Sequence, residues 1–124
     1  MGESQARFPI KIMVLDVGEA DGELNRLTAP LTVADIMKRL PINGRTVPAQ
    51  GFVSILLGLK RGVEKSVSNV DPGTIAYWPR ASCLCIYPDA TRTYSPVNRV
   101  GKVTNNLEIF RNLKSGSRII INAV

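Results

Sequence analysis

The sequence contains no histidine, which removes the commonest general base and a frequent metal ligand of enzymes. Without histidine, neither a Ser-His-Asp nor a Cys-His arrangement for nucleophilic catalysis can form. The two cysteines, Cys83 and Cys85, are separated by one residue. In a strand such residues stand about 7 Å apart, too far for easy disulfide geometry, and two thiols alone make a poor zinc site. We therefore expect buried, reduced cysteines, and neither a metal nor a cofactor.

Long apolar runs are also missing. No segment approaches the ~20 apolar residues needed to cross a bilayer, and the N-terminus lacks the basic-then-apolar order of a secretory signal. Met1 and Gly2 do not begin a myristoylation motif, because position 6 is Ala6 rather than Ser or Thr. The sequence predicts a cytoplasmic protein with no membrane association and a loose tail over residues 1–7.

The chain is basic but has no basic run. Its net charge is +6, from 16 basic and 10 acidic residues. Residues 1–35 hold three basic and six acidic groups, and residues 36–124 hold 13 and four, giving balances of −3 and +9. Such asymmetry attracts polyanions, so polyanion or nucleic-acid binding stays an alternative function. The dispersed charges favour a solvated surface over a nucleic-acid interface.

Carboxylates do not form an obvious catalytic pair. The closest group, from Asp16 to Glu23, is interrupted by Gly18 and Gly22 and lacks the ligand spacing of a calcium loop. This pattern is typical of a polar hairpin connection.

The first half of the chain predicts two strands and a helix. Residues 8–17 are β-branched and apolar, and residues 23–27 can return as an antiparallel partner. Residues 31–40 have apolar positions at helical spacing, with Thr28 or Thr32 as a cap and a proline after the last turn. Residues 42–48 are ambiguous because Asn43-Gly44 is a strong turn signal.

The second half predicts short strands with frequent turns. We expect strands over residues 51–58, 74–78, 83–87, 99–103 and 117–123, and an exposed strand or loop over residues 60–69. Residues 88–96 are predicted to form a nine-residue polar loop, and residues 105–113 a short helix. The resulting fold class is mainly β: one domain over residues 1–124, a closed barrel of about eight strands with two short helices.

Three segments carry a family resemblance. They are Asp71-Pro-Gly-Thr-Ile-Ala-Tyr-Trp-Pro79, Cys83-Leu-Cys-Ile-Tyr87 and Ser95-Pro-Val-Asn-Arg-Val-Gly-Lys-Val103. They resemble small prokaryotic proteins of uncharacterised function with a cyclophilin-like fold, which implies an eight-stranded barrel with a helix near each end. The usual Pro and Gly after Tyr-Trp-Pro are replaced by Arg80 and Ala81, and residues 50–56 lack the acid and aromatic of the family pattern. The Phe-Met-x-Gln segment of true cyclophilins is missing, so the resemblance does not by itself imply isomerase activity.

The aromatic pair of this motif suggests a ligand groove. Tyr77 and Trp78 are adjacent in a predicted strand, so they face opposite sides, and one of them is expected to fill the barrel. A groove for a peptide or small acidic ligand can combine an aromatic ring with a guanidinium that holds a carboxylate or peptide carbonyl. The predicted ligand-binding residues are Tyr77, Trp78, Arg80, Tyr94, Ser95 and Asn98.

Other interpretations of these residues stay open. The aromatic side chains can simply pack in the core, and Asn98 can simply satisfy loop backbone. A weak peptidyl-prolyl isomerase is the first alternative function, with Arg80 beside the prolyl nitrogen. A homodimer through an exposed barrel edge, such as residues 8–17, is a predicted assembly.

Overall fold

The computed structural model describes residues 6–124 and shows a closed antiparallel barrel. The strands are β1 (Arg7–Val14), β2 (Gly18–Asn25), β3 (Ile42–Ala49), β4 (Phe52–Leu56), β5 (Val67–Val70), β6 (Thr74–Trp78), β7 (Cys83–Ile86), β8 (Thr91–Asn105) and β9 (Arg118–Ala123). Eight of them follow each other around the barrel, which closes where β8 pairs with β2. The remaining strand, β5, pairs along the first part of β8.

The order around the barrel is β2-β1-β9-β3-β4-β7-β6-β8, which confirms the predicted fold class. Alternation of side chains along the strands fills its interior: Ile10, Ile12 and Val14 of β1 are almost fully buried, as are Ile119 and Ile121 of β9. One large apolar cluster therefore occupies the barrel.

A second, smaller apolar cluster lies on the outer face of the barrel sheet. It contains Phe52, Ala76, Cys85 and Val97. The first three are adjacent in sequence to residues of the barrel cluster, and Val97 precedes the fully buried Asn98. Neighbouring strand residues face opposite sides, so this cluster covers the outer face of β4, β7, β6 and β8.

Closure of the barrel depends on a close approach between β2 and β8. Gly101 pairs with Leu24, and a Cβ at Gly101 would lie 2.0 Å from the backbone oxygen of Glu23. The opposite strand has Gly22, where a Cβ would lie 2.9 Å from the oxygen of Lys102. Both glycines are required because two backbones meet without room for a side chain.

The helices differ from the prediction. The α-helix α1 spans Pro30–Lys38, and Leu107–Phe110 forms a single 3-10 turn rather than a second helix. Asn106, directly before this turn, has a left-handed backbone conformation with φ of 64°. The four residues that follow are too few to stabilise an α-helix. Neither Thr28 nor Thr32 caps α1; its first residue follows Ala29, which has no capping side chain.

The structure settles one ambiguous segment and corrects two predictions. Residues 42–49, ambiguous from the sequence, form β3. Gly44 does not make a turn there; a Cβ at this position would lie 2.7 Å from the Ile55 side chain. Most of the predicted 88–96 loop belongs to β8, which pairs there with Asn69 and Val70 of β5. The predicted edge at residues 8–17 is not free, since β1 pairs with both β2 and β9.

The predicted loose tail falls mostly outside the described residues. Residues 1–5 are outside them, and Arg7 already begins β1. The backbone oxygen of Ala6 accepts a hydrogen bond from Arg26 N at 2.8 Å.

Candidate functional site

Tyr77 and Trp78 lie on opposite faces of β6, as strand geometry requires. Tyr77 is fully buried in the barrel cluster, and its hydroxyl donates a hydrogen bond to the backbone oxygen of Leu59. Trp78 is half-buried on the outer face. Tyr77 is therefore a core residue, and Trp78 is the ring that a ligand can reach.

Four aromatic rings on the outer face form what we call the aromatic surface: Phe52, Trp78, Tyr87 and Tyr94. The Phe52 ring centroid lies 5.9 Å from that of Trp78 in an edge-to-face arrangement and 5.4 Å from that of Tyr87. Tyr94 stacks on Trp78 at 6.3 Å and also contacts Phe52 at 6.1 Å. These separations fall in the range at which aromatic pairs attract.

Exposure differs sharply across the aromatic surface. Phe52 and Tyr87 are 7% and 2% exposed, whereas Tyr94 is 73% exposed. Behind the rings lie Val70, Ala76, Cys85 and Val97, all buried. The arrangement is a buried apolar base with the exposed Tyr94 side chain at its edge.

Ser95 holds the indole in place. The Trp78 Nε1–H donates a hydrogen bond to the Ser95 hydroxyl, so the polar edge of the indole is already satisfied. Of the predicted residues, the structure thus brings together Trp78, Tyr94 and Ser95. Segment 92–96 reaches this position because β8 continues past the end of β6, whose pairing stops at Tyr77 and Asn98.

Arg80 lies two residues beyond Trp78, in the turn between β6 and β7. It is exposed, and within residues 6–124 it makes no ion pair with a carboxylate. Its guanidinium is thus available to solvent near the end of the strand that carries Trp78.

Asn98 is not part of this group. It pairs with Tyr77 in register, is fully buried, and lies on the interior side of β8. Its Oδ1 accepts a hydrogen bond from Glu64 N at 2.8 Å, and its Nδ2 donates to the oxygen of Gly62 at 2.9 Å. Asn98 fixes the loop between β4 and β5 at one end of the barrel.

The same loop supplies the cap that α1 lacks in its own sequence. The Glu64 carboxylate accepts hydrogen bonds from Leu31 N at 2.9 Å, Thr32 N at 2.8 Å and the Thr32 hydroxyl at 2.7 Å. Burial raises the pKa of Glu64, but these hydrogen bonds and the nearby Arg61 outweigh burial and lower the pKa. A carboxylate at a helix N-terminus is stabilised by the free N–H groups there.

Sequence reasoning did not predict Phe52, Tyr87 or Glu64 for these roles. Phe52 and Tyr87 join Trp78 because β7 lies between β4 and β6 in the sheet, an order that no local pattern gives. A signal for Phe52 was present: it is an aromatic at the start of the apolar segment 51–58. Glu64 stands 32 positions from Thr32, and no spacing rule links them.

Both cysteines belong to the cluster on the outer face, where burial disfavours their thiolate forms. Burial raises the pKa of Cys83, and burial together with Cys83 raises the pKa of Cys85 to about 12. Burial likewise raises the pKa of the neighbouring Tyr87. Both thiols are unpaired, and Cys85 is buried. Such thiols act as small apolar side chains.

A cleft of about 240 Å³ adjoins the aromatic surface at Phe52. The Arg111–Asp89 ion pair, 2.7 Å apart, lines one part of it and the Phe52 and Phe110 side chains line another. The remaining lining residues are Pro48, Ala49, Gly51, Val53, Pro88 and Leu113.

Residues 6–124 contain no cluster of three or more potential metal-ligating side chains. No helix in this range has the length and apolar character that crossing a membrane requires.

Comparison with known proteins agrees with the barrel. The sequence model of the cyclophilin-like family matches residues 8–122, and the chain belongs to that family. No curated protein matches the sequence.

Two solved structures are similar to this fold. The solution structure of the hypothetical protein AF2241 from Archaeoglobus fulgidus has a TM-score of 0.79 and 23% identity, with all of both chains covered. McbB, solved in complex with tryptophan, has a TM-score of 0.72 and 14% identity. That match covers 91% of this chain and 44% of McbB, so this chain spans less than half of McbB. At these identities the likeness establishes the fold.

Proposed function

We propose that this cyclophilin-like domain binds a peptide across the aromatic surface. The observation that carries the proposal is the stack of Tyr94 on Trp78, with Tyr94 73% exposed. A large aromatic side chain that stands in solvent beside a buried apolar base is typical of a recognition surface.

The chemistry of the surface favours a flat apolar group. The Trp78 N–H already donates a hydrogen bond to the Ser95 hydroxyl. A ligand can therefore contact the ring surfaces of Trp78 and Tyr94 and the Tyr94 hydroxyl. Aromatic faces attract proline rings and other apolar side chains with little loss of conformational entropy. A proline-bearing or aromatic peptide residue fits this surface.

Polar groups near the surface can orient such a peptide. Arg80 is exposed and follows Trp78 by two residues, so its guanidinium can donate to a peptide carbonyl or to a C-terminal carboxylate. On the other side, the cleft beside Phe52 is large enough for one apolar side chain. A bound peptide would therefore run from Arg80 over Trp78 toward Phe52.

The single tryptophan of the chain makes the proposal directly testable. We would titrate ¹⁵N-labelled protein with acetyl-Ala-Phe-Pro-Ala, as the free acid and as the amide, and follow the indole N–H resonance. Saturable shifts of Trp78, Phe52 and Tyr94 are the expected result. Free tryptophan is a useful second probe, since McbB was solved with that molecule.

Variants locate the binding site. Tyr94→Ala should weaken peptide binding by about tenfold or more, and Arg80→Gln should reduce the preference for the free acid over the amide. The matched control is Leu27→Ala, which removes a side chain that is 69% exposed away from the aromatic surface. Equal weakening by both alanine variants, or no saturable binding, would contradict the proposal.

The same peptide tests the isomerase alternative. Exchange spectroscopy of its Phe-Pro bond reports the cis/trans rate with and without protein. Binding without acceleration supports a binding domain, whereas acceleration that is lost in Arg80→Gln would establish catalysis instead.

A further inference from the structure

A second cleft, of about 530 Å³, lies apart from the aromatic surface and shares no residue with it. It is formed where the β1–β2 turn meets β3, the start of β9 and the segment before β9. The side chains and backbone that line it are Leu15, Asp16, Val17, Arg45, Asn112, Lys114, Gly116, Ser117 and Arg118. Arg45, Lys114 and Arg118 are positively charged and Asp16 is negatively charged, so the lining has a net charge of +2.

The two arginines stand directly opposite each other on neighbouring strands. Arg45 of β3 pairs in register with Arg118 of β9, and both are exposed. Like charges at directly opposed positions destabilise a sheet. Within residues 6–124 neither arginine has a carboxylate partner within 4.0 Å.

Elsewhere the same barrel arranges its charges differently. Lys11 of β1 is directly opposite Asp21 of β2, and their charged atoms are 2.7 Å apart. The Arg45–Arg118 pair therefore lacks the opposite charge that Lys11 has across the sheet. An anion between the two guanidinium groups would remove the repulsion.

The frame of the cleft is fixed by hydrogen bonds. Arg45 Nη1 donates to the oxygen of Gly116 at 2.9 Å, and Gly116 N donates to the oxygen of Thr46 at 2.7 Å. The Lys114 oxygen accepts from the hydroxyls of Thr46 at 3.1 Å and Ser117 at 3.0 Å. Because the backbone beside the cations is held in place, binding an anion there orders little additional chain.

We propose that this cleft binds a small oxyanion, a phosphate monoester or a carboxylate, that carries a short apolar group. Arg45 and Arg118 contact the oxyanion through their planar N–H groups, and Lys114 adds a third positive charge. Leu15 and Val17, 37% and 49% exposed, provide an apolar wall for the remainder of the ligand. Asp16 repels the oxyanion, and the three cations outweigh it.

Phenyl phosphate is a suitable probe because it combines an oxyanion with an apolar ring. We would measure its binding to the full chain by calorimetry at low salt, and map it by ¹⁵N chemical shifts. Arg118→Gln should weaken binding by about tenfold or more, since charged hydrogen bonds are lost. The control Arg92→Gln, which removes an exposed strand arginine outside the cleft, should leave binding unchanged.

Thermal unfolding separates a folding defect from a binding defect. Without the probe, Arg118→Gln should be at least as stable as the natural sequence, because it relieves the repulsion from Arg45. With saturating phenyl phosphate, the natural sequence and Arg92→Gln should gain melting temperature, and Arg118→Gln should not.

Three results would overturn the proposal. The first is the absence of saturable shifts at Leu15, Lys114 and Arg118. The second is equal weakening by Arg92→Gln and Arg118→Gln. The third is displacement of phenyl phosphate by a single-stranded oligonucleotide whose own binding depends equally on both arginines, which indicates general attraction of polyanions.

Discussion

Glu64 and Thr32, from a loop and a helix 32 positions apart, are joined by two hydrogen bonds: one Glu64 carboxylate oxygen accepts from Thr32 N at 2.8 Å and from its hydroxyl at 2.7 Å. The other oxygen accepts from Leu31 N. One side chain thus fastens the start of α1 to the loop between β4 and β5.

Glu64 should make the protein lose stability in acid. Its pKa in the folded state is below its ordinary value of 4.5, so the carboxylate stabilises the fold above about pH 4.5. This contribution is lost as the pH falls through the lower, folded-state pKa. Glu64→Gln should cost about 1 kcal/mol at pH 7, and its disadvantage should shrink below pH 4.5. Urea unfolding between pH 3 and 7 measures the difference, and a disadvantage that does not change with pH would contradict this role.

Asn98 should matter for stability rather than for ligand binding. Asn98→Ala leaves Glu64 N and the Gly62 oxygen without their partner, so we expect a loss of about 2–4 kcal/mol in the free energy of unfolding. Amide exchange of the loop between β4 and β5 should accelerate most. The control is Asn122→Ala at an exposed position, which should have little effect. Peptide binding that fails in Asn98→Ala under conditions where it is folded would place Asn98 in the site after all.

Barrel closure should depend on Gly101. In Gly101→Ala the new Cβ meets the Glu23 backbone, which is not a flexible side-chain end, so β2 and β8 must separate. We expect a loss of about 3 kcal/mol or more, or failure to fold. Gly62→Ala is the matched control, because nothing lies within 4 Å of its Cβ, and it should stay within about 1 kcal/mol of the natural sequence. Similar stability of the two variants would show that β2 and β8 do not approach each other as closely as described.

The sequence predicted the barrel well because alternation is a local property. The apolar positions of β1 recur at every second residue, and the opposite orientation of Tyr77 and Trp78 follows from adjacency alone. The first part of β8 could not be predicted in this way. Its polar residues are typical of a loop, and they form a strand because they pair with β5.

The aromatic surface was predicted in part for the same reason. Trp78 and Ser95 lie in the segments that carry the family resemblance, and Tyr94 directly precedes one of them. Tyr87 also lies in such a segment, but it and Phe52 join Trp78 only through the order of strands in the sheet.

Asn98 follows Ser95 closely in sequence, yet it lies on the interior side of β8. Ser95 and Asn98 are three positions apart, so alternation along a regular strand already places them on opposite sides. Tyr94 is four positions from Asn98 and would share its side in a regular strand, and the irregularity of β8 between Arg92 and Val97 is what local counting could not predict.

The cysteines should behave as packing residues. At pH 8 a thiol reagent should not modify Cys85 in the folded protein, because burial and Cys83 raise the pKa of Cys85 to about 12. Cys83, whose pKa is also raised by burial, should react more slowly than a free thiol. Both should react in denaturant. Counting modified thiols in the natural sequence and in Cys83→Ser checks this, and rapid modification of folded Cys83→Ser would contradict the burial of Cys85.

The most direct test of the proposed function is the Trp78 indole resonance during titration with acetyl-Ala-Phe-Pro-Ala. Binding across the aromatic surface predicts a saturable shift that Tyr94→Ala weakens by about tenfold or more and Leu27→Ala leaves intact. An indole resonance that does not move, in a protein whose remaining spectrum is that of the folded barrel, would show that the aromatic surface is not a peptide site.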